Sequence, residues 1–314
     1  MKIVFLPLPL LVFGCGSINE TRYADATPFV KDARLHTPQS LPDVSLAIVK
    51  TAESHSLEAL FYRGGSWFTP RVGAHSAVWV KHPRGNLLFD TGLGANINRQ
   101  FSEGMPFWQK PFMAYKNHHA ARTLLADEFK NNPLSKIILS HLHWDHASGI
   151  KDFPDVEVWT TQQEYKSATD QNAPAGVYIP SQYSGAATNW RFIQFNPVAY
   201  ENFEQSLDVY RDGSVVLVPL PGHAAGAIGM FVNLQSGKRF FFSGDTTWAL
   251  EGFQIPAHKF WASSWLVDQD PDETGRAILK VRRLMHEYPQ MRVVPTHDDK
   301  AQAAIGFFPK FIHE

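Results

Sequence analysis

The stretch His141-Leu142-His143-Trp144-Asp145-His146 packs four potential metal ligands into six residues, directly after the apolar run Ile137-Ile138-Leu139. In an extended segment alternate side chains share a face. His141 and His143 can therefore address one ion, while Asp145 and His146, past the strand end, turn toward a second. A lone His-x-His is more often a hydrogen-bonded core pair. A metal centre requires further imidazoles and carboxylates, delivered by distant parts of the chain.

Later apolar runs end on such residues. The run 215–218 leads into Pro219-Leu220-Pro221-Gly222-His223, and Asp212-Gly213 ahead of it is a hairpin turn signal. A second hairpin, 228–233 with 238–242, ends at Ser243-Gly244-Asp245. The short run Arg292-Val293-Val294 delivers Pro295-Thr296-His297. Upstream, Leu87-Leu88-Phe89 ends at Asp90-Thr91-Gly92, where Asp90 serves either as support behind a metal ligand or as a turn cap. Five histidines (141, 143, 146, 223, 297) and two aspartates (145, 245) thus sit on loops after apolar strands. Imidazole and carboxylate donors without thiolate suit Zn²⁺, and Mn²⁺ or Fe²⁺ tolerate the same set.

The remaining sequence reads as framework. Residues 44–50 and 77–81 suit strands, with a turn at His82-Pro83-Arg84-Gly85-Asn86 before the next strand. Residues 101–115, rich in aromatics and including Phe107 and Trp108, fit neither helical nor strand period. They read as a lid over a pocket, a loop covering the core, or an exposed apolar patch. Residues 120–130 read as an amphipathic helix, 156–160 as a strand, and 162–167 as the start of a helix. The stretch 169–200 is irregular and aromatic, and 272–288 is a helix with acidic residues in its first turn.

Composition narrows the classes. The chain has 314 residues, 44% hydrophobic and 19% charged, with a formal net charge of -1. It is a globular chain, and without a Lys/Arg run it lacks the basic patch of a nucleic-acid binder. Lys2 followed by the apolar run 3–13 reads as an export signal too short to span a bilayer. Its end, Val12-Phe13-Gly14-Cys15, resembles the bacterial lipoprotein signal, in which the cysteine is lipidated. The expected division is a signal at 1–14, a tether at 15–40 and a catalytic domain at 41–314. The resemblance implies an exported, membrane-anchored lipoprotein facing the periplasm. Cys15 is the only cysteine, which excludes an intramolecular disulfide and a thiolate ligand or nucleophile in the folded part.

With His141-x-His143-x-Asp145-His146, His223, Asp245 and His297 in this order, the chain resembles the metallo-β-lactamase-fold hydrolases. The resemblance implies an α+β fold, a four-layer αββα sandwich with the site at one edge between the sheets. It implies that His141, His143 and His223 hold one divalent ion, that Asp145, His146 and His297 hold another, and that Asp245 bridges. Two such ions, about 3.5–4 Å apart, share a hydroxide that attacks a carbonyl, and Asp145 relays the proton to the leaving group. The pattern is most similar to N-acyl homoserine lactonases, through Leu88-Phe89-Asp90-Thr91-Gly92 and Ser140 to His146. The expected substrate is a small lactone or carboxylic ester, with Trp248, Phe107 and Trp108 as candidate contacts. Trp248 stands where those lactonases often carry a tyrosine. Alternatives on the same fold are a phosphodiester, sulfate ester or β-lactam hydrolase, or a surface lipoprotein without catalysis.

Overall fold

The computed structural model describes residues 40–185 and 188–313. The export signal, Cys15 and the tether as far as residue 39 lie outside the described residues. The strands are β1 (Ser45–Leu57), β2 (Pro70–Lys81), β3 (Asn86–Phe89), β4 (Lys116–Asn117), β5 (Leu134–Ile138), β6 (Glu157–Thr161) and β7 (Asn189–Ile193), followed by β8 (Leu207–Asp208), β9 (Val215–Pro219), β10 (Ile228–Asn233), β11 (Arg239–Phe242) and β12 (Arg292–Val294). They form two sheets, in the orders β4-β1-β2-β3-β5-β6-β7 and β12-β11-β10-β9-β8.

Strand alternation builds the layers. Val78 and Val80 of β2 point between the sheets and join Leu87, Phe89, Ile138, Leu217, Met230 and Phe242 in a shared core. Their neighbours Ala77 and Trp79 point outward, against Ala121, Leu125, Phe153 and Ala168. On the second sheet Val216, Val218, Phe231 and Phe241 turn to the opposite outside, where the helix Pro271–Glu287 covers them with Ala277, Ile278, Val281 and Leu284. Because side chains alternate along a strand, both sheets are buried on two faces and the order is helix, sheet, sheet, helix. This is the four-layer αββα architecture expected from the sequence.

Strand direction gathers the site. β3, β5, β6 and β7 run parallel, as do β11 and β12, while β9 and β11 share a direction through antiparallel β10. The carboxyl ends of β3 and β5 therefore deliver Asp90 and His141 at one end of the first sheet. The ends of β9, β11 and β12 bring His223, Asp245 and His297 together at one end of the second. Backbone bonds join the halves there: Ile228 N–H donates to Ser140 O at 2.9 Å and Ala74 N–H to His297 O at 3.1 Å.

Three local expectations change. The strand expected at 77–81 begins at Pro70, and β1 extends to Leu57, so the first hairpin is much longer. The single helix expected at 120–130 is two pieces, Ala121–Leu124 and Ala126–Asn131, because Leu125 between them adopts φ −94° and ψ 12°. The aperiodic stretch 101–115 contains the end of a helix, Ile97–Gly104, and then turns that break at Pro106. Phe101, Met113 and Tyr115 pack with Trp144 and Ile179, so part of it covers a core that includes the hexapeptide.

Candidate metal centre

The seven residues singled out by the sequence are all buried and converge. His141, His143 and His223 present ligand atoms within 4.8 Å of one another, and so do His141, His146 and Asp245. Asp145 and His297 form a third such group with His75. His223 Nε2 lies 3.2 Å from His141 Nε2, and His297 Nε2 lies 2.8 Å from Asp245 Oδ2 and 3.2 Å from Asp145 Oδ2. Asp245 Oδ1 stands 3.3 Å from His146 Nε2, and its Oδ2 stands 3.7 Å from His223 Nε2. Asp245 therefore touches imidazoles of both donor sets.

The outer ring nitrogens are already engaged. His146 Nδ1–H donates to Asp90 Oδ2 at 2.9 Å, and His223 Nδ1–H to Asp268 Oδ1 at 2.7 Å. His297 Nδ1–H donates to Ala74 O at 2.7 Å. The Ser140 hydroxyl donates to Asp90 Oδ2 at 2.8 Å and accepts from His141 Nδ1–H at 2.9 Å. Anchoring Nδ1 in this way turns each Nε2 lone pair inward. Among the described residues, His143 Nε2, His146 Nε2 and Asp245 Oδ1 are buried without a hydrogen-bond partner. Buried polar atoms are seldom left unpaired, and two of these, His146 Nε2 and Asp245 Oδ1, face each other at 3.3 Å within one donor group, so the residues present fit divalent cations.

Electrostatics follow the packing. Burial, together with the neighbouring imidazoles, holds His141 and His143 well below the usual histidine range. Burial also opposes charge on His146, but Asp245, Asp90 and Asp145 outweigh it and hold its pKa well above normal. His297 is likewise desolvated, and Asp245 and Asp145 raise it to about 10. The same histidines overcome the burial of Asp145 and Asp245 and keep both carboxylates well below their ordinary range.

The profile of the Metallo-beta-lactamase superfamily matches residues 70–297. The chain belongs to this superfamily. As a member it is a metal-dependent hydrolase, and its α+β sandwich is that of the superfamily. It is 25% identical over 238 residues to the N-acyl homoserine lactonase AttM of Rhizobium radiobacter, covering 74% of this chain and 84% of that one. Its fold is similar to that of an N-acyl homoserine lactone hydrolase solved with the product N-hexanoyl-L-homoserine at the catalytic metal center. That likeness has a TM-score of 0.66 at 17% identity, over 87% of this chain and all (100%) of the other. AidC, a dizinc quorum-quenching lactonase, is similar with a TM-score of 0.57 at 16% identity, over 82% and 88% of the two chains.

Around this superfamily centre the other predicted residues take different positions. Trp248 is half-buried and donates its indole N–H to Asp245 Oδ2 at 3.0 Å, with its ring edge-on to His297 and Phe61. Phe107 and Trp108 project from the turns after Ile97–Gly104, 83% and 47% exposed. The rings from this stretch that reach the hexapeptide are Phe101 and Tyr115, 5.3 and 5.9 Å from Trp144.

Sequence reasoning missed three buried participants. His75 meets Asp145, and the signal for it is the strand alternation that places residues 75, 77 and 79 on one face once β2 is extended to Pro70. Asp268 braces His223 and is itself paired with the fully buried Lys259 at 2.7 Å. In sequence these two look like ordinary surface charges. Glu164 accepts from Leu142 N–H, Gly226 N–H and the Tyr178 hydroxyl, tying the hexapeptide to the His223 loop. Thr161-x-x-Glu164 is a capping-box pattern, and the Thr161 side chain does accept from Glu164 N–H.

Proposed function

We propose that the chain is a dinuclear metal-dependent hydrolase that opens a lactone or carboxylic ester of the N-acyl homoserine lactone type. The observation that carries this reading is the pair of donor sets joined by Asp245, with unpartnered Nε2 and carboxylate atoms turned inward. His141, His143 and His223 would hold one ion, Asp145, His146 and His297 the other, and Asp245 both. Two divalent cations, Zn²⁺ by preference of this nitrogen and oxygen donor set, supply an activated water and polarise the substrate carbonyl.

The chain's own residues do the rest. Asp90, Asp268 and the Ala74 carbonyl fix the imidazole orientations. Trp248 fixes Asp245, and Asp145 carries the proton to the leaving oxygen. Lys259 beside His223 is bound to Asp268, and Arg71 is bound to Glu251 and Asp298. With these cations already neutralised, a neutral acyl substrate suits the site better than a phosphodiester or sulfate ester. Similarity to AttM supports the lactone class.

A hydrolysis panel of N-acyl homoserine lactones, aryl esters, a phosphodiester and a cephalosporin tests the reading. Lactones are expected to give the highest kcat/KM. A phosphodiester or cephalosporin in first place would refute the substrate class.

The same proposal includes export and lipidation at Cys15. Palmitate incorporation that is abolished in Cys15→Ser supports it, and labelling that persists in that variant refutes it. Among the described residues no helix is long and apolar enough to cross a membrane.

A further inference from the structure

His75 is a buried imidazole that meets the centre without belonging to the ligand set read from the sequence. It lies on β2 with Ala77 and Trp79, the face turned toward the outer helices, and its ring packs against Trp144 and edge-on to His297 at 5.8 and 5.0 Å between centroids. Its Nδ1 is 3.0 Å from Asp145 Oδ2. A neutral imidazole has one N–H, and opposite a carboxylate oxygen that proton sits on Nδ1, so His75 donates and Asp145 accepts.

The backbone around His75 is specially built. β1 and β2 pair in register except at one point, where Lys50 faces Ser76 and Ala52 faces His75, leaving Thr51 as the extra residue of a β-bulge. Bulges bend a strand and re-aim its side chains, and they concentrate beside active sites. The Thr51 hydroxyl donates to the His75 carbonyl at 2.8 Å and accepts from Leu93 N–H at 2.8 Å, pinning the bulge to the loop after Asp90. The His297 ring Nδ1–H donates to the carbonyl of the neighbouring Ala74, and the His297 carbonyl accepts from Ala74 N–H, so the strand segment carrying His75 is clamped from both sheets.

We propose that His75 is a positioning residue for Asp145: its Nδ1–H holds Oδ2 beside His297 Nε2, so that the carboxylate is aimed into the second donor set before a cation arrives. Asp145 sits in a single helical turn, Trp144–Ala147, and it meets the imidazoles of His75, His297 and His146. Removing the His75 contact frees the carboxylate to rotate, which weakens the Asp145 cation position and leaves the His141, His143 and His223 position intact. This inference rests on the proposed metal centre.

The test loads the full-length protein with Zn²⁺, dialyses it against graded chelator and counts zinc per chain. His75→Phe keeps the ring packing and removes the donor. His75→Asn keeps a donor at the Nδ1 position. His75→Phe is expected to release one of its two ions at about 10–100-fold lower chelator than wild type, in line with the usual effect of losing a partner behind a metal ligand. His75→Asn is expected to track wild type. Equal retention in His75→Phe and wild type overturns the assignment, as does equal loss in Phe and Asn. Should His75→Phe fail to fold, His75→Gln replaces it, because its amide sits at the Nε2 position. Retention by Asn with loss by Gln is then expected, and identical behaviour overturns the proposal. Wild-type protein that takes up no zinc overturns the metal centre itself, a result distinct from a wild type with two ions and an unaffected His75→Phe.

Discussion

Trp248 donates its indole N–H to Asp245 Oδ2 at 3.0 Å, across a tight turn of the same loop. The residue read from sequence as a substrate contact therefore grips the carboxylate that joins the two donor sets. A hydrogen bond to a charged group contributes about 1.5–3 kcal/mol. Trp248→Phe keeps the ring between Phe61 and His297 and is expected to lower kcat about tenfold or more. Unchanged kcat with a raised KM would instead assign Trp248 to substrate binding alone.

Asp245→Asn keeps the shape and removes the charge. Asp245 touches His146, His223 and His297, so both cation positions suffer. Zinc content is expected to fall below two per chain and turnover to fall ~100-fold or more. Full zinc content with wild-type turnover would show that Asp245 is misassigned.

Lys259 and Asp268 are a fully buried pair behind His223. Removing one partner of such a pair leaves an uncompensated charge and costs about 3–5 kcal/mol. Asp268→Ala is expected to lower the unfolding free energy, measured by urea titration, by that amount. Adding Lys259→Met should recover most of the stability without restoring the brace on His223. Failure of the double variant to recover any would show that the loss arises from packing.

Proton binding sets the pH dependence of the metal-free protein. Burial works against the His297 charge, yet Asp245 and Asp145 raise its pKa from 6.5 to about 10, and His146 is raised for the same reason. A raised folded-state pKa contributes stability that is complete below the unfolded value and is lost as pH rises through the folded one. The metal-free protein is therefore expected to lose stability between pH 6.5 and about 10. Cations need neutral imidazoles, so zinc affinity should rise across the same window by up to about tenfold per pH unit for each proton displaced. Equilibrium unfolding and competitive zinc titration at several pH values measure both. Flat profiles would contradict the charge assignment.

The sequence made the centre readable because its candidate ligands are scarce residue types placed just after apolar strands, as His223 after Pro219 and Asp245 after Phe242 show. Individual strands were readable from β-branched and apolar runs such as Val78-Trp79-Val80, and the four layers were implied by the family resemblance. What was hidden depends on contacts made only in three dimensions. Gly73 and Ala74 weaken the strand signal ahead of His75, and the bulge at Thr51 has no sequence signature. Lys259 and Asp268 are separated by a helix, Trp261–Val267, and become partners only when it packs. Residues 101–115 lacked a period because a helix end, two prolines and a turn share a few positions.

Metal content of the purified full-length protein, measured together with N-acyl homoserine lactone hydrolysis before and after chelation, is the decisive test of a dinuclear hydrolytic centre. Close to two divalent ions per chain are expected, with loss of hydrolysis on removing them and recovery on adding Zn²⁺ back. A single ion per chain in fully active enzyme, or hydrolysis that survives complete removal, would contradict it.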